Sequence, residues 1–481
     1  MVSVIVPAYN MAPFLAETLD SILASTYDDF EVIVMDDGSK DNSYDIAKSY
    51  AAKDKRIRAF TKKNGGVSTA RNAAISLAKG EYVLPVDADN TIEPDFIEKA
   101  VEMISSDPDI KVVAPTSDFF GEKTGIWKLP PFSLKLLARK NIMDNCALYR
   151  KEDWERVGGY CPQIVTREDW AFWISILKDG GKVVILPEVY HHYRIRSTSK
   201  RVTNRNKKFQ VIDKLNNLHP EFFERILHGP LRHRRSWSKT INMAYRFLHP
   251  RHVCMNPEFT RFKDQVKAIP AYFQFNCGTV IHDHRNELRQ LNWSGETVIA
   301  KSFATPNIVN RLAYGLLRKS KARRSFEYAG LLRKNGIGSP EPIAYYEEHC
   351  LIFFGKSYYV CRKSECDHSY TDLMNGDYPN DEEPLRAIAR IAAKMHDLGM
   401  VHKDFSRGNI LFRHTDNGIE TEIIDLNRLR FHKVDIHEGC RNFSRLPGTE
   451  RMMAVLADEY AKQRGYDKKE CLKLILEYKE E

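Results

Sequence analysis

The 481-residue chain contains no run of about 18 apolar residues, which excludes a transmembrane helix. Met1 leads straight into Val2-Ser3-Val4-Ile5-Val6, with no basic n-region or cleavage site, so no secretory signal is expected. The nine cysteines form no CxxC pair and no zinc-ligand spacing. They read as reduced thiols of a cytosolic protein. No recognised nucleic-acid-binding motif accompanies the formal net charge of +9, so nucleic acid is not expected as a partner. What is present fits soluble globular domains: 43% of residues are hydrophobic and 28% charged. The length calls for two or three domains.

The first half is organised around Gly80-Glu81-Tyr82-Val83-Leu84-Pro85-Val86-Asp87-Ala88-Asp89. An apolar run delivers two carboxylates to the end of a buried strand. Alternation puts Asp87 and Asp89 on one side of the chain, where both can face a divalent cation. Carboxylate oxygens suit Mg²⁺ or Mn²⁺, and those ions suit a diphosphate. An Asp-x-Asp after a strand is also a common acidic turn, so its neighbours decide. Val2 to Val6 reads as a strand ended by Pro7-Ala8-Tyr9-Asn10, and Phe30 to Met35 as one ended by Asp36-Asp37-Gly38-Ser39. Helical patterns separate them, which implies a parallel sheet with ligands beyond the carboxyl ends of its strands. Between these clusters Asn64-Gly65-Gly66 opens a helix of small residues. Gly66 allows close backbone approach, and Arg71 can reach a phosphate. The alternative is a surface helix with an exposed arginine.

These stretches, with Gly66-Val67-Ser68-Thr69-Ala70-Arg71-Asn72, resemble family 2 glycosyltransferases of GT-A fold in order and spacing over roughly 200 residues. The resemblance implies that Tyr9, Asn10 and Asp37, with Pro7, Ala8, Asp36, Arg71 and Ala88 around them, bind a nucleotide sugar, a UDP-sugar before others. It also implies that Asp87 and Asp89 carry the metal on its diphosphate. Downstream, Trp154-Glu155-Arg156-Val157-Gly158-Gly159-Tyr160 followed by Arg167-Glu168-Asp169-Trp170 is similar to the family too. There the Asp of the Glu-Asp pair is the base of an inverting transfer, so Asp169 is the candidate, with Glu168 second. A helix N-terminus enriched in acids is the alternative reading of that pair. His191-His192-Tyr193-Arg194, ending at Ser199, resembles the family's closing loop, with a histidine either near the metal or packing.

From Leu231 to His252 the chain carries Arg232, Arg234, Arg235, Lys239, Arg246 and Arg251 but no acid. Trp237, Ile241, Met243, Tyr245, Phe247 and Leu248 interleave with them. Such a segment lies on an anionic membrane surface, or forms a linker helix that packs its apolar side on a domain.

In the last third, Thr297-Val298-Ile299-Ala300-Lys301 reads as a strand with an inward lysine. Glu327 follows on a helix, then His402-Lys403-Asp404-Phe405-Ser406-Arg407-Gly408-Asn409, then Glu422-Ile423-Ile424-Asp425. A lysine for phosphates, a glutamate to hold it, an Asp near the acceptor hydroxyl, and Asn plus Asp for metal make a phosphotransferase site. The set resembles the protein-kinase-like fold. Ser320 to Ala329, Gly336-Ile337 and Pro340-Glu341-Pro342-Ile343 narrow the likeness to the lipopolysaccharide core kinases acting on 3-deoxy-octulosonic acid (Kdo) or heptose. That resemblance implies that Lys301 binds ATP, Glu327 orients it, Asp404 is the base, and Asn409 and Asp425 ligate Mg²⁺. No glycine-rich loop precedes Lys301, Asp425-Leu426-Asn427 stands where protein kinases have Asp-Phe-Gly, and no Ala-Pro-Glu occurs. A small or lipid-linked sugar is therefore favoured over a protein acceptor. Arg311, Arg318, Lys319, Lys321, Arg323 and Arg324 form either a face for phosphate-bearing lipid or an ordinary solvated face.

The expected fold is α/β: a GT-A domain over 1–210 with a mixed, mostly parallel sheet, a basic helical linker over 211–270, and a small kinase-like α+β domain over 271–481. The expected cofactors are Mg²⁺ or Mn²⁺, a nucleotide sugar and ATP. The expected acceptor is a lipopolysaccharide core glycolipid, and the expected location is cytoplasmic, on the inner face of the membrane.

Overall fold

A computed structural model describes residues 1–127, 129–197, 208–283, 286–307, 311–314, 318–350, 353–375, 378 and 380–480. The chain divides into two compact units, Met1–Met243 and Ala244–Glu481.

The first unit is built on a mixed sheet. Its strands are β1 (Val2–Ala8), β2 (Phe30–Asp36), β3 (Ile57–Thr61), β4 (Tyr82–Pro85), β5 (Thr91–Ile92), β6 (Ile110–Gly121), β7 (Gly125–Trp127), β8 (Leu148–Arg150) and β9 (Lys182–Ile195). They lie in the order β3-β2-β1-β4-β8-β6-β9-β5, with β7 paired to β6. The run β3-β2-β1-β4 is parallel, as are β6 and β9, while β8 joins β4 and β6 antiparallel. Every residue of β1 is buried because both faces of the sheet are covered. Val2, Val4 and Val6 feed the core that holds the helices Leu15–Leu23 and Phe96–Ser106. Ile5 joins the opposite core, with the helices Val67–Ser76 and Glu168–Leu177. Register sets Ala8 beside Asp36 and Ile5 beside Pro85. The three polar clusters therefore lie at the carboxyl ends of adjacent strands, as the sequence implied.

The first strand of the second unit is β10 (Arg251–Met255). The strands β11 (Thr279–Asp283), β12 (Glu287–Trp293), β13 (Glu296–Phe303), β14 (Pro342–Cys350) and β15 (Phe353–Arg362) complete an antiparallel sheet in the order β10-β14-β15-β13-β12-β11. The helix Lys321–Lys334 packs on β14 and β15. Beyond them come β16 (His368–Ser369), β17 (Met400–His402), β18 (Ile410–Thr415), β19 (Gly418–Ile423) and β20 (Leu429–Phe431), which form two small sheets. The helices Glu382–Asp397, Glu450–Arg464 and Lys468–Glu480 supply the second core of this unit.

The expected linker over 211–270 is not a separate element. Val211, Ile212, Leu215, Phe222, Phe223 and Leu227 are buried in the first unit. Phe259, Phe262, Val266 and Ile269 are buried against Trp293 in the second. The periodic pattern of apolar side chains on these short helices does not say which core receives them, so sequence alone does not separate a connector from segments of the two cores.

Candidate functional site

In the first unit the loop after β2 is fixed by its own two acids. Asp36 accepts from Thr61 Oγ1 at 2.8 Å and from the Ser39 backbone N–H at 3.2 Å. Asp37 accepts from Lys62 Nζ at 2.7 Å and from the backbone N–H groups of Gly65 and Gly66 at 3.0 and 2.8 Å. Both carboxylates are buried, so they shape the turn into the helix Val67–Ser76. Gly66 there has φ 91°, a backbone angle that L side chains resist. Pro7 and Ala8 are buried at the end of β1, while Tyr9 and Asn10 are exposed. Asn10 accepts from the Lys40 N–H at 2.8 Å, and its own N–H donates to Ser39 Oγ at 2.9 Å. An exposed tyrosine and asparagine and two buried acids thus meet at the carboxyl ends of β1 and β2.

Arg71 is not an exposed helix residue. At 2% exposure it donates to Asp87 Oδ1 at 2.7 Å and to Glu168 Oε1 at 2.8 Å. Its guanidinium lies 5.4 Å from the centre of the Tyr160 ring. One cation thus ties the Asp-x-Asp end of the site to the Glu-Asp end. Asp89 pairs with Arg196, and its backbone carbonyl accepts from Arg194 Nε at 2.9 Å. Burial first, then the neighbouring Asp87, raises the Asp89 carboxyl above the usual range. Ala88 is buried between the two acids.

Asp169 stands in the first turn of its helix. Its carboxylate accepts from Asn141 Nδ2 at 2.5 Å and from the Trp170 N–H at 2.9 Å. Burial, then Glu168 and Asp144, pushes its pKa up to about 7, with Arg71 opposing. A carboxylate tuned near neutrality suits a general base. Asn141, Asp144 and Arg196 escaped the sequence reading. Asn141 and Asp144 belong to an irregular stretch before β8, and Arg196 follows β9, so no periodicity marked them. His191 to Arg194, expected in a loop, lie within β9. His191 is fully buried, its Nδ1 3.0 Å from Ser117 Oγ and its Nε2 without a hydrogen-bond partner among the described residues. Ser199 lies outside the described residues.

Among the described residues no three His, Cys, Asp or Glu side chains already converge as a metal cage. The donors nonetheless fit Mg²⁺ or Mn²⁺ on a diphosphate. Such ions need few protein oxygens, since phosphate and water complete the shell. Asp87 and Asp89 would supply those oxygens in exchange for part of their arginine contacts.

In the second unit Lys301 on β13 donates to Asp425 Oδ1 at 2.7 Å. Asp425 has φ 57° and also accepts from Asn427. Asp404 follows β17 and faces two cations, Arg445 Nη1 at 3.0 Å and Arg428 Nη1 at 3.4 Å. Asn409 Nδ2 donates to the Asp404 carbonyl at 2.9 Å. Buried His402 braces the loop: its Nδ1 accepts from the Asp404 N–H at 3.1 Å, and its Nε2 lies 3.2 Å from the Ile424 carbonyl. Lys301, Asp425, Asp404 and Asn409 are therefore linked through one set of contacts. Glu327 is not part of it. Lys319 Nζ at 2.7 Å and Arg323 Nε at 2.8 Å take its carboxylate, so the expected Lys301–Glu327 pair is replaced by Lys301–Asp425.

Residues 3–170 match the family model described as Glycosyl transferase family 2. Bacillus subtilis (strain 168) TuaG, a glycosyltransferase assigned to teichuronic acid biosynthesis, is 33% identical over 204 residues, 41% of this chain and 81% of TuaG. The chain belongs to glycosyltransferase family 2. Residues 291–464 match the Lipopolysaccharide kinase (Kdo/WaaP) family, so a second family region follows the first. Chondroitin synthase of Pasteurella multocida (strain Pm70) is 27% identical over 208 residues, 42% of this chain. The chain spans only 22% of that relative's length. A solved structure of WaaP in complex with acyl carrier protein is 16% identical and covers 48% of this chain and 97% of that one, with a TM-score of 0.35.

Proposed function

We propose that this chain is a bifunctional enzyme of cell-surface glycolipid assembly. Its first unit transfers a sugar from a nucleotide donor with inversion, and its second phosphorylates a core sugar, Kdo first among candidates, with ATP. The observation that carries the transfer reading is Asp169, a carboxylate tuned to about 7 and held by Asn141 next to the Arg71-bridged acids. In this reading Asp169 Oδ takes the proton from the acceptor hydroxyl as that oxygen attacks the anomeric carbon. Arg71 orients Glu168 and Asp87. Tyr9, Asn10 and the Asp36–Asp37 turn receive the nucleoside. Mg²⁺ or Mn²⁺, held by Asp87 and Asp89, would supply positive charge for the leaving diphosphate.

In the second unit, Asp404 takes the proton of the sugar hydroxyl, while Lys301 neutralises ATP phosphates. Asn409 and Asp425 would hold Mg²⁺ there. One observation favours a second reading, in which this unit binds nucleotide or lipid without catalysis: Lys301 is engaged by Asp425, and Glu327 is held by other cations. The acceptor would be a lipopolysaccharide core glycolipid, reached from the cytoplasmic face of the membrane.

The test is transfer of ³²P from ATP to purified Kdo-lipid A and to soluble Kdo, alongside release of UDP from a panel of UDP-sugars. Label on lipid that Asp404→Ala removes, with UDP release intact, supports both activities. No label and no ATP-dependent thermal shift would leave a glycosyltransferase with a binding module.

A further inference from the structure

Three aromatic rings of the first unit stand apart from its cores. Phe119 on β6 and Trp127 on β7 lie 5.8 Å apart and within 22° of parallel. Tyr193 on β9 meets both edge-on, at 6.2 and 6.1 Å. All three are half-buried, and among the described residues none packs into either core of this unit. Rings of this size ordinarily dominate a core, and a group of them held outside one is the common lining of a ligand site.

Register puts the rings on one face. Ser117 of β6 lies opposite His191 of β9 and Trp127 of β7, and Phe119 lies opposite Tyr193 and Gly125. Directly paired residues, and residues two apart, point to the same side of a sheet. The face therefore runs from the buried pair His191 and Ser117 out to the rings. Gly125 ends the outer row without a side chain, and a Cβ there would meet nothing within 4 Å. Space is thus open beside Phe119.

Sheet order separates this face from the proposed nucleoside site. The ends of β1 and β2 carry Tyr9, Asn10 and the Asp36–Asp37 turn, and β4 and β8 stand between those strands and β6 and β9. The Asp87–Asp89 loop that follows β4 is tied to β9 next to Tyr193. There Arg194 donates from its N–H to Asn90 Oδ1 at 3.0 Å and from Nε to the Asp89 carbonyl at 2.9 Å. Asp144 acts electrostatically on Asp169 and on His191 alike, so the face begins on the side of the candidate base.

We infer that Phe119, Trp127 and Tyr193 form the subsite that takes a pyranose ring of the glycan acceptor. The inference rests on the transfer reading above and names where the acceptor lies. One face of a pyranose presents C–H groups, whose slight positive charge suits the negative face of an aromatic ring. Its hydroxyls point outward around the rim, where one can be turned toward Asp169. A nucleoside base would stack equally well, but its place is at the other end of the sheet.

The test uses the full chain without donor or ATP, so that its outcome depends on neither reaction. Fluorotryptophan is incorporated, and the fluorine NMR resonance of Trp127 is assigned by its loss in W127F. Pyranose oligosaccharides of bacterial surfaces, de-O-acylated Kdo-lipid A among them, are then titrated in. At least one is expected to shift the Trp127 resonance with saturation, and irradiation of aromatic protons should carry over to the C–H protons of its ring. F119A/W127A should weaken that oligosaccharide roughly ten- to hundred-fold, whereas W127F, which keeps a ring, should stay within about three-fold of wild type. In a transfer assay with that acceptor the double variant should raise KM and change kcat little, as a group that binds without reacting does. A Trp127 resonance that no oligosaccharide moves overturns the inference, as does unchanged affinity in F119A/W127A. So does a resonance that responds only to alkyl chains or to protein concentration, which would make the face a lipid or self-association surface. Saturable binding at Trp127 with no sugar transfer by wild type would uphold the sugar subsite and count against the transfer reading.

Discussion

Replacing Arg71 by methionine keeps the stem and removes the charge that joins the two ends of the candidate transfer site. Arg71 is 2% exposed, whereas the side chains of its partners Asp87 and Glu168 are 34% and 14% exposed. Deleting one partner of a buried ion pair costs roughly 3–5 kcal/mol, because the remaining charge stays desolvated. Water reaches part of Asp87, so the lower end of that range applies, about 3 kcal/mol. For a unit of this size each kcal/mol moves Tm by about 2–4 °C, which sets the expected drop at roughly 6–12 °C. The variant also changes the response to pH. Asp169, raised to about 7 in the folded state, binds a proton more tightly there than in the unfolded chain. Its contribution therefore falls as pH rises from the ordinary carboxylate range to about 7 and is constant above. Arg71 holds that value down, so in R71M the decline continues beyond pH 7. Calorimetry of wild type and R71M across neutral pH, following the transition that a nucleotide sugar shifts, measures both effects. A Tm loss under about 2 °C, or parallel pH curves, would refute the bridging role.

Asp169→Asn should lower sugar transfer by a factor of at least about a hundred, the reach of a positioned base. Wild-type transfer should rise with pH to a plateau above an ionisation near 7, because only the carboxylate accepts the proton; a pH-independent rate sinks the assignment. Lys301→Met should abolish phosphorylation of Kdo-lipid A and leave UDP release from the nucleotide sugar unchanged, since Lys301 contacts Asp425 in the other unit. Gly338→Ala should destabilise the second unit by about 2 kcal/mol or more, because the added Cβ would lie 1.9 Å from the Thr421 carbonyl oxygen. An unchanged denaturation midpoint for the second unit would count against that packing.

The parts of the site that sequence made legible are those fixed by backbone alone. Strand periodicity placed Pro7 to Asn10, Asp36–Asp37 and Asp87–Asp89 at strand ends, and parallel pairing then forced them together. Loop-borne residues had no such signal. Asn141, which holds Asp169, and Arg196, which pairs with Asp89, reach their partners across 28 and 107 residues of chain. The burial of Asn242 was hidden for a related reason. A polar residue in an amphipathic pattern reads as solvent-facing until the Leu227 and Pro230 carbonyls and the Arg232 side chain are seen around it.

The Lys301–Glu327 expectation shows where a family pattern and local electrostatics part. The family resemblance gives Glu327 the role of orienting Lys301, yet Arg323 lies one turn before it on the same helix. At i, i+4 that spacing sets a cation within reach whatever the tertiary fold. Lys319, just ahead of the helix, adds a second, and the Glu327 carboxyl is held below its usual range by these two against the opposing effect of burial. Lys301 is left with Asp425, which the left-handed turn after β19 presents directly. The pair is weakened in one defined way. In the proposed phosphotransfer reading a nucleotide phosphate would compete for Lys301 and a divalent cation for Asp425, so ATP with Mg²⁺ would relieve both halves at once. Glu327→Gln should consequently change ATP affinity little, whereas Asp425→Asn should raise affinity for ATP without metal, by freeing Lys301, and abolish phosphorylation. Isothermal titration of both variants with ATP, with and without Mg²⁺, decides it. A large loss of ATP binding in Glu327→Gln would mean that Lys301 turns to the glutamate when nucleotide arrives.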